Sequence, residues 1–122
     1  MMHILITDNF EPTRFLVKDL LESMDDFTFT ISETGNGQEA WEIIEAQKPD
    51  LIISGNTMPG MSGFELAKKV KAEYSPYRDT PFMFCSGAPG PYNQEISNLG
   101  AVNLPKPYSV DDFLGLVRTL LS

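Results

Sequence analysis

Apolar runs and helix-period stripes alternate along the chain. Residues 3–7 (HILIT) form a compact apolar run. In 13–24 (TRFLVKDLLESM), Val17, Leu20, Leu21 and Met24 then recur at i, i+3, i+4 and i+7, the period of a helix with one buried face. Residues 27–32 (FTFTIS) alternate strictly, Phe27, Phe29 and Ile31 on one side and threonines on the other, which predicts a half-exposed edge strand. Asn36 is placed to cap a helix over GQEAWEIIEAQ, whose Ala40, Ile43 and Ile44 share a face. Residues 50–54 (DLIIS) are apolar almost throughout, as a central parallel strand covered on both faces requires. Ser62 caps a following helix with Gly63, Leu66, Ala67 and Val70 in register. A buried run at 81–86 (PFMFCS), a short helix in PYNQEISNL with Tyr92, Ile96 and Leu99 aligned, and a brief strand at 101–104 (AVNL) complete the alternation. The last helix has Ser109 and Asp112 near its start and a stripe of Val110, Phe113, Leu114, Val117 and Leu121.

Five strand–helix units imply a mainly parallel sheet with helices on both faces, because parallel neighbours need crossover connections. The edge-like second and fifth runs favour the strand order 2-1-3-4-5. Ligands of such sheets sit outside the carboxyl ends of strands one and three. That cleft is expected to be lined by Asp8-Asn9, Gly55-Asn56-Thr57, Ser86-Gly87 and Lys106.

Composition narrows the function classes. The 122 residues suit one domain over 1–122, and 42% hydrophobic with 21% charged residues is ordinary for a globular chain. Seventeen acids against nine bases give a net charge of −8. That balance opposes binding to nucleic acid or an anionic membrane surface. Cys85 is the one cysteine, so no internal disulfide forms, and its apolar setting reads as a small buried hydrophobe. No run approaches the ~18 apolar residues of a membrane span, and the first residues lack a basic-then-apolar leader, so a cytoplasmic location is expected.

The segment PDLIISGNTMPGMSGFEL (49–66) carries the most information. Together with ILITDNFEPTRFLVKDLL near the start, Ser86 after the fourth apolar run and Lys106-Pro107, it resembles the receiver domain of two-component response regulators of the chemotaxis-protein kind. The resemblance spans nearly the whole chain. It implies a flavodoxin-like α/β three-layer sandwich, a five-stranded parallel sheet with five helices, and protein partners in a signalling pathway, either a histidine kinase or a downstream target. A flavodoxin itself would need a Thr- and Gly-rich phosphate loop after the first strand, and TDNFEPT is not one.

In that family an Asp ending the third strand takes the phosphoryl group. Two acids after the first strand help to hold Mg²⁺, a Lys contacts phosphoryl oxygens, a Ser or Thr hydroxyl reports the event, and the Lys-Pro bond is usually cis. Here the acceptor position is Gly55 and the second acid is Asn9, leaving Asp8. A hydrogen atom is no nucleophile, so the family reaction is expected to be absent at position 55. A pocket of Asp8 against Lys106 is formally neutral, with Asn9 and the Thr57 main-chain oxygen as the residual ligands, so neither a divalent metal nor another cofactor is expected. Asp50 is no substitute, lying five residues or about 16 Å away at the far end of its strand. Ser54 should point to the opposite face of the sheet from Gly55.

These residues predict a non-enzymatic receiver-like module that binds proteins without being phosphorylated. Two alternatives stand beside it: a phosphorylatable receiver whose acceptor Asp is replaced at Gly55, and a sensor that binds a small ligand in the emptied pocket. Lys106 is expected to pair with Asp8 across the cleft, and Ser86 to satisfy local backbone. The position three before Lys106, which the family fills with an aromatic switch residue, is Asn103. The interaction surface is expected at Tyr92, Ile96, Asn103 and Tyr108, next to the unusual APGPYNQ stretch. His3 is read as a strand residue, Trp41, Met58 and Met61 as packing, and Lys68, Lys69 and Lys71 as a solvated helix face.

Overall fold

A computed structural model describes residues 1–85 and 93–122; Ser86 and Tyr92 lie outside the described residues. In chain order the elements are β1 (Met2–Thr7), α1 (Glu11–Glu22), β2 (Phe29–Thr34), α2 (Gly37–Gln47), β3 (Leu51–Ser54), α3 (Gly63–Val70), β4 (Phe82–Phe84), α4 (Asn93–Asn98), β5 (Val102–Asn103) and α5 (Val110–Leu121). All strand pairs are parallel, and the order is β2-β1-β3-β4-β5.

Alternation along each strand builds two cores. Leu5, Ile52, Phe82 and Phe84 point to one face and meet Ala40 and Ile44 of α2, Leu66, Ala67 and Val70 of α3 and Ile96 of α4. Ile4, Ile6, Leu51, Ile53, Met83 and Cys85 point to the other and meet Val17 and Leu21 of α1 and Phe113 and Val117 of α5. Every residue of β3 is buried, as a central strand requires. Ile96 is 3% exposed, so it is a core residue and not part of the expected interaction surface. Its register with Leu99 points it onto the sheet.

Helix starts follow local chemistry. The Asn36 side chain accepts from the Glu39 N–H at 2.8 Å, and Ser62 and Glu65 form a reciprocal capping box at α3. Ser109 accepts from the Asp112 N–H at 3.0 Å. The first helix begins at Glu11, two residues before the 13–24 segment that carries its apolar stripe, because Pro12 is tolerated in a first turn whose N–H groups are unpaired anyway. β2 runs to Thr34 and not to Ser32, since its pairing with β1 continues to Thr7↔Thr34.

Candidate functional site at the ends of the first and third strands

The chain leaves β1 toward β2 on one side and returns to β3 on the other, so the ends of β1 and β3 open a crevice between them. Thr7 is the register partner of Ser54, and the Gly55 N–H donates to the Thr7 carbonyl at 2.9 Å. Asp8 and Gly55 are therefore side by side, each one residue past its strand.

Asp8 is held at both ends of the residue. Its Oδ1 accepts from the Phe10 N–H at 2.8 Å, a side-chain turn typical of Asp before a helix. Its main-chain carbonyl accepts from Arg14 Nη1 at 2.6 Å, and the Arg14 guanidinium also pairs with Glu33 at 3.5 Å. The carboxylate consequently lies over Gly55. A Cβ built on Gly55 would overlap Asp8 Oδ2 and stand 2.8 Å from its Cγ. The space of the absent side chain is filled by the neighbouring carboxylate.

The loop beyond is tightly fixed. Ser54 Oγ, on the face opposite to Asp8, donates to the Gly55 carbonyl at 2.6 Å. The Gly63 N–H donates to the Asn56 carbonyl at 2.8 Å. A Cβ on Gly63 would overlap the Gly55 carbonyl oxygen, so α3 approaches the end of β3 as closely as it does only because residue 63 is Gly. Gly60 has φ +76° after Pro59, the backbone a Pro-Gly turn calls for. Behind the loop the Thr7 hydroxyl lies 3.1 Å from Met58 Sδ, and Met58 is buried.

The resulting cleft holds about 220 Å³ and is lined by Asp8, Asn9, Phe10, Thr13, Gly55, Asn56, Thr57, Cys85 and Lys106. The structure thus brings together the predicted Asp8, Asn9, Gly55, Thr57 and Lys106. The Lys106–Pro107 bond is cis. The expected Asp8–Lys106 pair does not form: the ion pairs among the described residues are Arg14–Glu33, Lys18–Glu33 and Arg118–Asp26. Asp8 is turned toward the Phe10 N–H and Gly55, while Lys106 is exposed. Both charges still act on Cys85. Burial pushes that thiol up to about 12, with Lys106 pulling it down and Asp8 adding to the rise. So high a value leaves almost no thiolate at neutral pH.

The donor set does not fit Mg²⁺. Octahedral coordination by hard oxygens usually takes one or two carboxylates plus phosphate. Among the described residues Asp8 is the one carboxylate in the cleft, and its Oδ1 is already engaged. Asp50 is far away, accepting from the His3 N–H at the opposite end of the sheet, where His3 Nε2 also lies 2.8 Å from Ser32 Oγ.

The expected interaction residues are scattered in their surroundings. Asn103, opposite Phe84 in the β4–β5 register, is half-buried, and its Oδ1 has no hydrogen-bond partner among the described residues. Tyr108 is half-buried and stacks on Phe113 at 5.8 Å; burial, with a smaller contribution from Cys85, pushes its hydroxyl up to about 12. Lys71 also departs from expectation. It is no free surface charge but donates to the Arg78 and Thr80 carbonyls at 3.0 and 2.7 Å. Lys69 lies over the Trp41 ring, and Trp41 packs edge-on to Tyr77. Sequence reasoning missed Arg14, whose reach to the Asp8 carbonyl depends on the loop conformation. It also missed Phe15 and Leu16, which could have been found as apolar residues off the Val17/Leu20/Leu21/Met24 stripe.

Comparison with known proteins agrees with this fold. The family model described as the response regulator receiver domain matches residues 4–118. The sporulation initiation phosphotransferase F of Bacillus subtilis is 29% identical over 97% of this chain and 92% of its own length. Histidine kinase P4 of Formosa agariphila is 30% identical over 97% of this chain, which spans 8% of that kinase. The chain spans about half of the response regulator Rre1 of Synechocystis. The solved structure of the chemotaxis response regulator CheY4 of Vibrio cholerae superposes with a TM-score of 0.83 at 28% identity, covering 99% of both chains.

Proposed function

Since this chain belongs to the response regulator receiver domain family, we propose that residues 1–122 form one receiver-like domain of two-component signalling that binds protein partners without being phosphorylated. Receiver domains of this family work between histidine kinases and downstream effectors. The observation that carries the reading is the Asp8 carboxylate packed over Gly55. Position 55 offers no nucleophile, and the one acid left in the cleft is turned into the space that an acceptor side chain would need. Such a pocket has no charge change to transmit, so the module stays in one state and acts as a surface for other proteins.

The test is labelling by acetyl phosphate read by mass spectrometry, with thermal melting in Mg²⁺ and beryllofluoride. No phosphoryl adduct and no shift are expected. A site binding Mg²⁺ with a dissociation constant near ~1 mM would gain about 1.4 kcal/mol at ~10 mM, and a shift of that size refutes the reading.

One observation favours a second reading, an anion-binding cleft: Lys106 lines the cleft and has no ion-pair partner among the described residues. Melting in the presence of inorganic phosphate, compared with the Lys106→Gln variant, separates the two.

A further inference from the structure

The last turn of α3 and the loop after it gather cations on a chain that is otherwise acidic. Residues 68–78 hold four of the nine lysines and arginines, Lys68, Lys69, Lys71 and Arg78, and one acid, Glu73, while the whole chain carries −8. Lys71 is turned to the Arg78 and Thr80 carbonyls, which ties the loop to the end of the helix. Lys68, Lys69 and Arg78 are exposed, and none has an ion-pair partner among the described residues. Arg14, Lys18 and Arg118, by contrast, each meet a carboxylate. In a chain of seventeen acids carboxylates are not scarce, yet none stands within ion-pair distance of these three cations.

Aromatic rings hold the lysines instead. Lys68 Nζ lies 5.6 Å from the centre of the Phe64 ring, and Lys69 Nζ lies 4.5 Å from that of Trp41. Such contacts orient an ammonium group without neutralising it. Trp41 packs edge-on to Tyr77, the residue before Arg78. Tyr74, in the same loop, is 90% exposed, more than any other large hydrophobic side chain among the described residues. Cations in a last helical turn suit the negative end of the helix dipole, and Lys68 and Lys69 do so. The dipole does not account for Arg78 in the next loop, nor for the ring under each ammonium group. Ordered, unpaired cations beside an exposed aromatic side chain are complementary to carboxylates that flank an apolar residue.

We infer that the face formed by Lys68, Lys69, Arg78, Trp41 and Tyr74 is a docking surface for an acidic segment of a partner protein. It lies on the α2–α3 side of the sheet, opposite α1 and α5. Aspartates or glutamates of the segment meet the three cations, and an apolar side chain lies on Tyr74. The apolar contact supplies most of the affinity, and the charges supply orientation and encounter rate. A nucleic acid is a poor occupant, because the excess of acids over the rest of the surface repels a phosphate backbone. A second copy would set one of its acidic faces against this basic one, a head-to-tail contact that leads to rings or filaments. The inference rests on the reading of the chain as a binding module. Its test uses no phosphodonor, so failure here leaves the labelling result standing, and the reverse holds too.

The test is selection of a random-peptide phage library on the full chain, followed by titration of the best synthetic peptide into ¹⁵N-labelled protein. Enriched peptides are expected to carry a net negative charge with an apolar residue among their acids, and to shift the amides of residues 64–78 and the Trp41 indole. Tyr74→Ala and the double variant Lys68→Gln/Lys69→Gln should each weaken binding about tenfold or more, with circular dichroism showing the fold kept. Lys18→Glu alters the net charge by the same two units on the other side of the sheet, and should change affinity by less than about twofold because salt screens distant charges. Added salt should weaken binding to the unmodified chain and have less effect on the double variant. Enrichment of basic or neutral peptides, no enrichment, shifts that map elsewhere, affinity untouched by the double variant, or an equal loss in Lys18→Glu would each overturn the inference. So would a single-stranded oligonucleotide that binds at these residues, or sedimentation showing self-association that the double variant abolishes, which would assign the face to nucleic acid or to a second copy.

Discussion

Adding a side chain at position 55 tests whether Asp8 holds that space. In Gly55→Ala the new methyl group arrives 2.8 Å from Asp8 Cγ, well inside the ~3.5–4 Å of an ordinary carbon contact. Backbone strain does not contribute, since Gly55 is not in the left-handed region. The obstacle is the end of a side chain, so Asp8 swings out and loses its 2.8 Å bond from the Phe10 N–H. A hydrogen bond to a charged group contributes about 1.5–2 kcal/mol, and the reduced freedom of Ala in the unfolded chain returns about 0.5–1 kcal/mol. The expected net loss is about 1 kcal/mol, or about 4 °C in Tm for a chain of this size. Urea denaturation followed by circular dichroism measures it, and a double-mutant cycle decides its origin. In an Asp8→Ala background the methyl group meets no carboxylate, so Gly55→Ala should be neutral or stabilising, with a coupling of about 1.5–2 kcal/mol. Gly63→Ala is the contrast, because its Cβ meets the Gly55 main-chain oxygen, with the Phe84 ring at 3.0 Å. Backbone does not step aside as a carboxylate does, and the loss should reach about 3 kcal/mol or more. A coupling near zero, or a Gly55→Ala variant more stable than the parent, refutes the filled-site argument.

Three further outcomes follow from single interactions. Cys85, with its thiol pushed up to about 12 by burial, should resist Ellman's reagent in the folded protein at pH 8 and react fully in urea; rapid labelling of the folded chain contradicts the packing. Lys71→Met removes the donor to the Arg78 and Thr80 carbonyls and should cost about 1–3 kcal/mol in urea titrations, far more than Lys68→Met. Asp26 is held below its usual 3.8 by its hydrogen bond from Arg118. A carboxylate with a lowered folded-state value stabilises above its unfolded value, and that gain is lost as pH falls through the folded one. Asp26→Asn should therefore melt below the parent at pH 7, with the gap closing as the pH drops below ~4; a gap independent of pH contradicts the assignment.

The parts of the fold that were legible in the sequence are those where burial is complete. β3 reads as an unbroken apolar run because both faces are covered, and α5 shows its stripe and cap because one face is dry and the other wet. Edges were less legible. β2 was displaced by two residues because Phe27, a half-buried aromatic, starts the alternation two residues before the first pairing with β1, Met2↔Phe29. β5 is two residues long and half-buried, so neighbouring strands define it more than its own composition does. Of the site, the membership was readable, since strand ends in this topology converge on one crevice. Its internal arrangement was not. Opposite charges at Asp8 and Lys106 suggested a pair, but the carboxylate is claimed by an N–H two residues away and by the space over Gly55. A side-chain turn of that kind is a local event that pattern and topology do not encode. The exposed Phe15 and Leu16 went unnoticed for a related reason: periodicity identifies what a helix buries, and these are residues it does not.

A glycine at an acceptor position would ordinarily leave a hole, and here Asp8 fills the space over Gly55, while Lys106 keeps no ion-pair partner among the described residues. The groups that would carry chemistry project from strand ends into a wet cleft, and none belongs to the two cores, apart from Cys85 beneath it. A receiver pocket with three carboxylates around one lysine stores mutual repulsion when no cation is bound, and the pair Gly55 and Asn9 lacks two of those charges. The site keeps its demands of shape. Gly37 allows α2 to lie against the Met61 backbone, and Gly63 allows α3 to lie against the Gly55 carbonyl. Both contacts hold the loop that would present an acceptor, and both would be dispensable if the loop had no further use. If the site takes no phosphoryl group, as proposed, the close approaches at Gly37 and Gly63 are kept for the shape that partner binding requires of a scaffold.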